Sequence, residues 1–180
     1  MTEMISYSKK ILLLGDPSVG KTSLIKKFVY DKFDDNYIST LGTKVTHKQV
    51  FIDDPEKEVK YQINFLIWDM MGQKEYRLFH SVAYQGAMGA IIVSDITRHE
   101  TLDNIPDWIS SLFKVTGDIP LVLIGNKNDL LSKKQFEFLD LKVSGDLFNA
   151  SVFLTSAKTG LNVEKAFLAL GEGIIQHQKE

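Results

Sequence analysis

The first pattern along the chain is a set of short runs made largely of apolar residues. They occur at residues 10–14, 87–95, 119–125 and 151–155. Runs of this kind are typical of strands that are buried on both faces of a sheet. Each run is therefore predicted to form a strand.

Between these runs lie segments whose apolar residues recur three or four positions apart, which predicts helices with one buried face. In the segment 101–115, Pro106 has no backbone N–H to donate, so this helix is predicted to start near or after Asn104. The pattern is weakest in residues 131–149, where one helix is predicted around residues 135–141. The other two helices are predicted at residues 23–30 and 162–178.

Two polar–apolar segments differ from the other strands. KVTHKQVFI and VKYQINFLIW flank DDPEK, which predicts an antiparallel hairpin with Pro55 in its turn. Elsewhere strands and helices alternate, which is typical of a parallel sheet with helices on both faces. We therefore predict an α/β fold: a single doubly wound domain over residues 1–180, with a six-stranded, mostly parallel sheet and one antiparallel edge strand. Ligands of such domains bind beyond the carboxyl ends of the strands.

Composition narrows the function without identifying it. The chain has 180 residues, a formal net charge of −2 and 44% hydrophobic residues, so no nucleic-acid partner is expected. Cysteine is absent, which excludes thiol catalysis, cysteine-bound zinc and a cysteine-linked lipid anchor on this chain. We expect a cytoplasmic protein without an intrinsic membrane anchor, and membrane association only if the native protein carries a lipidated tail. The histidines share no metal-ligand spacing and are interpreted as solvated or partner-facing: His47, His80, His99 and His177.

The segment GDPSVGKTS follows the first predicted strand and opens the first helix. In the spacing G-x-x-x-x-G-K-T, glycines let backbone N–H groups close on an anion, and the helix N-terminus adds partial positive charge. Lys21 can reach the β- and γ-phosphates of a nucleotide, and the Thr22 hydroxyl can ligate Mg²⁺. The alternative is an ordinary strand–helix turn with a surface lysine. The predicted nucleotide-binding residues here are Asp16, Ser18, Val19, Gly20, Lys21, Thr22 and Ser23.

A second motif, WDMMGQ, stands at the end of the third strand. An aspartate at the carboxyl end of a strand can hold a metal ion through water, which suits Asp69. The N–H of Gly72 can approach a γ-phosphate because no side chain blocks it, and Gln73 can orient an attacking water. We therefore predict Gln73, together with Lys21, as the catalytic residues. Taken alone, this short motif is also compatible with a simple turn.

Two further motifs follow later strands and suit a purine base. In NKND, the carboxylate of Asp129 can accept from N1–H and the 2-amino group of guanine, two donors that adenine lacks. Asn126 can bond the base edge or tie loops together, and the stem of Lys127 can cover one ring face. In SAKTG, the backbone N–H groups of Ser156, Ala157 and Lys158 are predicted to lie near the base carbonyl.

Together these segments resemble a small GTPase of the Ras superfamily, and most closely its Rab branch. The resemblance is carried by GDPSVGKTSL, IWDMMGQKEYR, YQGAMGAIIVSDIT, NIPDWI, GNKNDL and TSAKTGLNVEKAF, which cover nearly the whole chain. It implies a molecular switch that binds GTP or GDP with Mg²⁺ and hydrolyses GTP slowly. It also implies effector, exchange-factor and activating partners that contact switch I (31–43) and switch II (69–84).

The same resemblance assigns roles within switch I. Thr40 resembles the threonine that binds Mg²⁺ and the γ-phosphate, so the implied metal ligands are Thr22, Thr40 and Asp69. Phe33 resembles the aromatic residue that edges the guanine, and Tyr37 resembles the tyrosine that closes over the phosphates. From the residues alone, Phe33 and Tyr37 are equally compatible with anchoring a loop.

The chain departs from the family where hydrolysis is concerned. Pro17 stands where the family generally has glycine, and it adds a ring close to the path of Gln73. The arginines are Arg77, within switch II, and Arg98, whose connection after the fourth strand is expected to point away from the γ-phosphate. A guanine-nucleotide-binding module that barely hydrolyses GTP is therefore the main alternative. A small-molecule kinase would share the phosphate loop but leave NKND and SAKTG without a role.

Overall fold

The computed structural model of the protein describes residues 3–35, 42–54, 58–70 and 77–178, with only the backbone described at residues 77–79. Strands and helices alternate along it, as the sequence predicts. The strands are β1 Glu3–Leu14, β2 Lys44–Asp54, β3 Val59–Asp69, β4 Gly89–Asp95, β5 Leu121–Asn126 and β6 Ser151–Leu154. The helices are α1 Lys21–Tyr30, α2 Arg77–Tyr84, α3 His99–Asp103, α4 Ile105–Thr116, α5 Phe138–Leu147 and α6 Val163–His177, with a 3₁₀ turn at Leu131–Lys133.

The strands form one six-stranded sheet in the order β2-β3-β1-β4-β5-β6. β2 pairs antiparallel with β3 at one edge, and the remaining neighbours are parallel. The predicted fold class is confirmed, including its single antiparallel edge strand. Because Leu13 pairs with Asp69 and Asp95 pairs with Asn126, the carboxyl ends of four neighbouring strands meet at the same edge of the sheet.

Helices cover both faces of this sheet, and β1 shows why. Successive strand side chains point to opposite faces. Ile11 and Leu13 enter one buried cluster, while Leu12 and Leu14 enter the other. Because both faces of this part of β1 are buried, every side chain from Ile11 to Leu14 is apolar, which explains the continuous apolar run in the sequence.

Each face has its own aromatic anchor. On one face, Phe28 of α1 stacks on Phe167 of α6, with ring centroids 4.0 Å apart. On the other face, Trp108 of α4 is buried together with Ile109 and Leu112. α1 and α4 therefore cover opposite faces of the sheet.

The first strand is longer than predicted. β1 begins at Glu3 because residues 3–9 pair with β3 from Val59 onward. Their side chains are mostly exposed or partly exposed, so residues 3–9 do not form the continuous apolar run from which the strand was predicted. The hairpin of β2 and β3 is confirmed, while its predicted Pro55 turn lies outside the described residues.

The helical segment at 101–115 is two helices. α3 precedes the predicted start, because Thr101 is buried and its Oγ1 accepts a hydrogen bond of 2.9 Å from the Asp95 N–H. The helix is interrupted at Asn104. α4 then begins at Ile105 with Pro106 in its first turn, where the N–H that proline lacks would have no helical partner.

The predicted helix around 135–141 was wrong in position. α5 spans Phe138–Leu147 and begins after Glu137, whose side chain forms a capping box with Asp140. Gly145 lets α5 lie close to β6, since a Cβ there would come within 2.2 Å of Val152 Cγ2.

A further helix, α2, was not predicted as a helix at all. It carries His80, which is 3% exposed and packs against the rings of Tyr84 and Trp108. The interpretation of His80 as solvated or partner-facing was therefore wrong. No helix within the described ranges is long and apolar enough to cross a bilayer.

Candidate functional site

The loop between β1 and α1 needs both of its motif glycines. Gly15 has φ +137°, and a Cβ there would lie 2.2 Å from the Val93 carbonyl oxygen. Gly20 has φ +105°, and its Cβ would lie 2.2 Å from Asn126 Nδ2. Any larger residue would clash with a neighbouring strand or with the NKND segment. The tight loop predicted from the glycine spacing is thus present.

Lys21 is buried inside this loop. Its Nζ donates to the carbonyl oxygens of Gly15 and Asp16, at 2.8 Å each. Burial lowers the pKa of Lys21 to about 8, although the carboxylates of Asp69 and Asp16 partly oppose the shift. The lysine is therefore a structural centre of the loop and not the surface lysine of an ordinary turn.

The next three carbonyl groups of the loop are also bound by side chains from outside it. Arg98 Nη2 donates to Pro17 O at 2.7 Å, and Lys127 Nζ donates to Ser18 O at 2.8 Å. Asn126 Nδ2 donates to Val19 O at 3.0 Å. The loop thus turns its carbonyl groups toward protein donors. Its N–H groups at Ser18, Val19 and Gly20 donate to no backbone carbonyl within the described ranges.

Asp69 lies beside the first residues of α1. Thr22 Oγ1 donates to Asp69 Oδ2 at 2.5 Å. Asp69 is 2% exposed, and its Oδ1 has no hydrogen-bond partner among the residues that the structure describes. Burial raises the pKa of Asp69, while the bond from Thr22 opposes the shift. A hydroxyl and an uncompensated buried carboxylate oxygen are hard oxygen donors that fit Mg²⁺.

Of the two roles that the sequence left open for Asn126, the structure shows the one that ties loops together. Besides holding Val19, its Oδ1 accepts from Thr155 Oγ1 at 3.0 Å and from the Ala157 N–H at 3.2 Å. The side chain is 1% exposed. The loop between β1 and α1, NKND and SAKTG are therefore joined through a single amide.

The remaining residues of these two motifs border the same edge of the sheet. Asp129 is exposed, and its Oδ1 accepts a bond of 2.6 Å from the hydroxyl of Ser156, which is buried. Lys158 is exposed and lies 3.9 Å from Asp35 in an ion pair. Ala157 is buried.

Other predicted residues are described less fully or not at all. Ser23 is half-buried in α1, and Phe33 is 37% exposed after it. The structure leaves Tyr37, Thr40, Gly72 and Gln73 outside the described residues, as it does the side chain of Arg77.

The sequence did not predict the role of Asp95 at the end of β4, where its carboxylate binds two basic side chains. Asp95, 1% exposed, binds Lys127 Nζ at 2.6 Å and Arg98 Nε at 3.3 Å. Burial alone would raise the pKa of Asp95, but hydrogen bonds from Lys127 and Thr97 outweigh it and hold that pKa below its ordinary value. Its position at the carboxyl end of a buried strand was the signal that was available.

Arg98 was not predicted to contact the loop either. Its guanidinium contacts the Pro17 carbonyl. The expectation that its connection points away from the γ-phosphate stays a prediction. Two residues of the α3–α4 region were missed as well. Asn104 Nδ2 and Trp108 Nε1 both donate to the carboxylate of Asp16, at 2.6 and 2.9 Å.

Comparison with known proteins adds an independent finding. A sequence model of the Ras family matches residues 10–176. The Ras-related protein RABD2a of Arabidopsis thaliana is 36% identical over 175 residues, covering 97% of this chain and 83% of that protein. The GTP-binding protein ypt1 of Schizosaccharomyces pombe is 36% identical over 176 residues, with 97% and 83% covered. The Ras-related protein Rab11B of Nicotiana tabacum is 39% identical over 162 residues, with 89% and 72% covered.

Proposed function

Because the chain belongs to the Ras family, we propose that its phosphate loop, NKND and SAKTG form one guanine-nucleotide site with Mg²⁺ at Thr22 and Asp69. The protein is a Rab-like small GTPase: it binds GTP and GDP and hydrolyses GTP. The observation that carries the proposed site is the side chain of Asn126. It fixes the predicted phosphate-binding loop relative to the two predicted base-binding segments.

Asp129 selects guanine over adenine. The hydroxyl of Ser156 holds one carboxylate oxygen, so the orientation of Asp129 is set before a ligand arrives. The carboxylate then accepts from the N1–H and 2-amino groups of guanine. The stem of Lys127 covers a ring face, since its ammonium is already bound by Asp95 and the Ser18 carbonyl.

The N–H groups of the loop and Lys21 bind the phosphates of the nucleotide. Lys21 satisfies the Gly15 and Asp16 carbonyls and also brings its charge beneath the loop, where the phosphates would sit. Bound Mg²⁺ would neutralise phosphate charge during phosphoryl transfer. Thr22 would ligate it, Asp69 would hold it through water, and Thr40 is the proposed third contributor.

The proposed catalytic step depends on Gln73, which would orient the attacking water. Switch I (31–43) and switch II (69–84) would change conformation between the GTP and GDP states and so select effector, exchange-factor and activating partners.

The experiment that tests this proposal is identification of the nucleotide that copurifies with the protein. Chromatography of the denatured protein should release GDP or GTP and no adenine nucleotide. A preparation that carries no nucleotide and binds ATP as well as GTP would contradict it.

A further inference from the structure

Arg98 and Lys127 hold two consecutive carbonyl groups of the phosphate loop. Arg98 donates to Pro17 O at 2.7 Å and Lys127 donates to Ser18 O at 2.8 Å. The lysine belongs to a motif that already has a function, whereas the arginine belongs to none. Its contact with the loop therefore needs an explanation of its own.

A carbonyl group in a planar trans peptide fixes the direction of the N–H group that follows it. The Pro17 carbonyl and the Ser18 N–H belong to the same plane and point in opposite directions. When Arg98 holds the Pro17 oxygen on the outer side of the loop, the Ser18 N–H is directed to the inner side. The preceding peptide, between Asp16 and Pro17, has no N–H, because its nitrogen belongs to proline. Ser18 thus supplies the first N–H after the Asp16–Pro17 bond.

Ser18 also needs to be held, because its backbone is strained. Its φ is +63°, a region that is uncommon for residues other than glycine. Arg98 binds the peptide before Ser18 and Lys127 binds the peptide after it. These two cations therefore fix the strained residue from both sides.

Asp95 keeps these two cations in place. Its buried carboxylate lies 2.6 Å from Lys127 Nζ and 3.3 Å from Arg98 Nε. One carboxylate therefore orients both donors. The guanidinium, with several donors in one plane, can serve Asp95 and Pro17 at once.

We propose that Arg98 is a positioning residue that aims the Ser18 N–H at the β-phosphate of the bound nucleotide. This inference rests on the proposed guanine-nucleotide site. Arg98 acts through the peptide bond and touches no phosphate itself. Its contribution should depend on the presence of a β-phosphate.

The test compares GDP with GMP, which shares the base and the α-phosphate but lacks the β-phosphate. Affinities are measured by calorimetry with Mg²⁺ for the wild type, Arg98→Ala, Arg98→Lys and Lys60→Ala. The last variant is a matched control, because Lys60 forms an ion pair with Asp53 at the opposite end of the sheet. We expect Arg98→Ala to weaken GDP about tenfold and GMP by less than about threefold. Arg98→Lys should recover part of the loss, and Lys60→Ala should change neither affinity.

Equal losses for GDP and GMP, or no loss for either, would overturn the role of Arg98. If Arg98→Ala cannot be purified folded, the Arg98→Lys ratio of GDP to GMP affinity decides alone, and an unchanged ratio overturns the inference. A wild type that binds GMP as tightly as GDP would instead refute the proposed site. The two failures are therefore distinguishable.

Discussion

Trp108 donates its indole N–H to the carboxylate of Asp16 across 2.9 Å, which ties helix α4 to the phosphate loop. Asp16 is 7% exposed and accepts a second bond from Asn104. A buried carboxylate needs such donors, since an unpaired one is strongly destabilising. The loop is thus supported from α4 as well as from its own helix α1.

The bond from Trp108 to Asp16 predicts a specific loss of stability. Trp108→Phe keeps most of the ring volume but removes the donor, so the free energy of unfolding should fall by about 1–3 kcal/mol. Chemical denaturation of the nucleotide-free protein measures this. Trp68→Phe is the control, because Trp68 is only half-buried, and its change should stay below about 1 kcal/mol. Equal losses in the two variants would contradict a special role for the indole N–H.

The carboxylate of Asp129 predicts base specificity. Asp129→Asn replaces an acceptor by an amide that presents a donor, so guanine would face an unsatisfied contact. GTP and GDP affinity should fall by a factor of about 10³ or more, while xanthine nucleotides improve relative to guanine nucleotides. Competition binding with GDP and xanthosine diphosphate measures both. Undiminished guanine affinity would remove Asp129 from the base site.

The hydroxyl of Thr22 predicts a difference between nucleotide states. Thr22→Asn removes the proposed Mg²⁺ ligand and its bond to Asp69, so GTP affinity should fall more than GDP affinity. Thr22→Ser keeps the hydroxyl and should stay near the wild type. Nucleotide release is measured with and without a chelator of Mg²⁺. If the chelator does not change the rate of nucleotide release from the wild type, the proposed role of Mg²⁺ is wrong.

The pKa of Asp95 predicts a dependence of stability on pH. Because its pKa is held low in the folded protein, the carboxylate stabilises the fold above its unfolded pKa, near 3.8. This stabilisation is lost as the pH falls through the lower folded pKa. Asp95→Asn should therefore cost about 1–3 kcal/mol near pH 7, and its difference from the wild type should shrink below pH 4.

The control for Asp95 is Asp53→Asn, which changes an exposed carboxylate in the β2–β3 hairpin. Its effect on the free energy of unfolding should stay within about 0.5 kcal/mol at every pH. A constant gap between the wild type and Asp95→Asn from pH 7 to pH 3 would contradict the depressed pKa.

The sequence predicted what depends on local pattern and motif. The order of the six strands, the antiparallel hairpin and the glycine loop all follow from periodicity and spacing. Asp69 was correctly placed at the end of β3, because a strand boundary and a polar residue coincide there. The loop geometry of Gly15 and Gly20 was likewise readable from their spacing.

What the sequence did not predict depends on contacts between distant segments. Arg98 reaches Pro17 across 81 positions, and Trp108 reaches Asp16 across 92. No local pattern marks these partners, because each side chain alone is compatible with an ordinary helix or turn. The position of α5 was predicted wrongly for the same reason. The close packing of Gly145 on β6 determines where this helix lies, whereas its apolar residues are not concentrated on one face.

The most direct test of the central claim is single-turnover hydrolysis of GTP preloaded on the purified protein with Mg²⁺. No arginine finger is assigned within the chain, so the rate should be on the order of 10⁻⁴ s⁻¹, typical of the unassisted family. Arg77→Ala should leave this rate nearly unchanged. No conversion of GTP to GDP would contradict a small GTPase. A rate near about 1 s⁻¹ that Arg77→Ala abolishes would contradict a switch that awaits an activating partner.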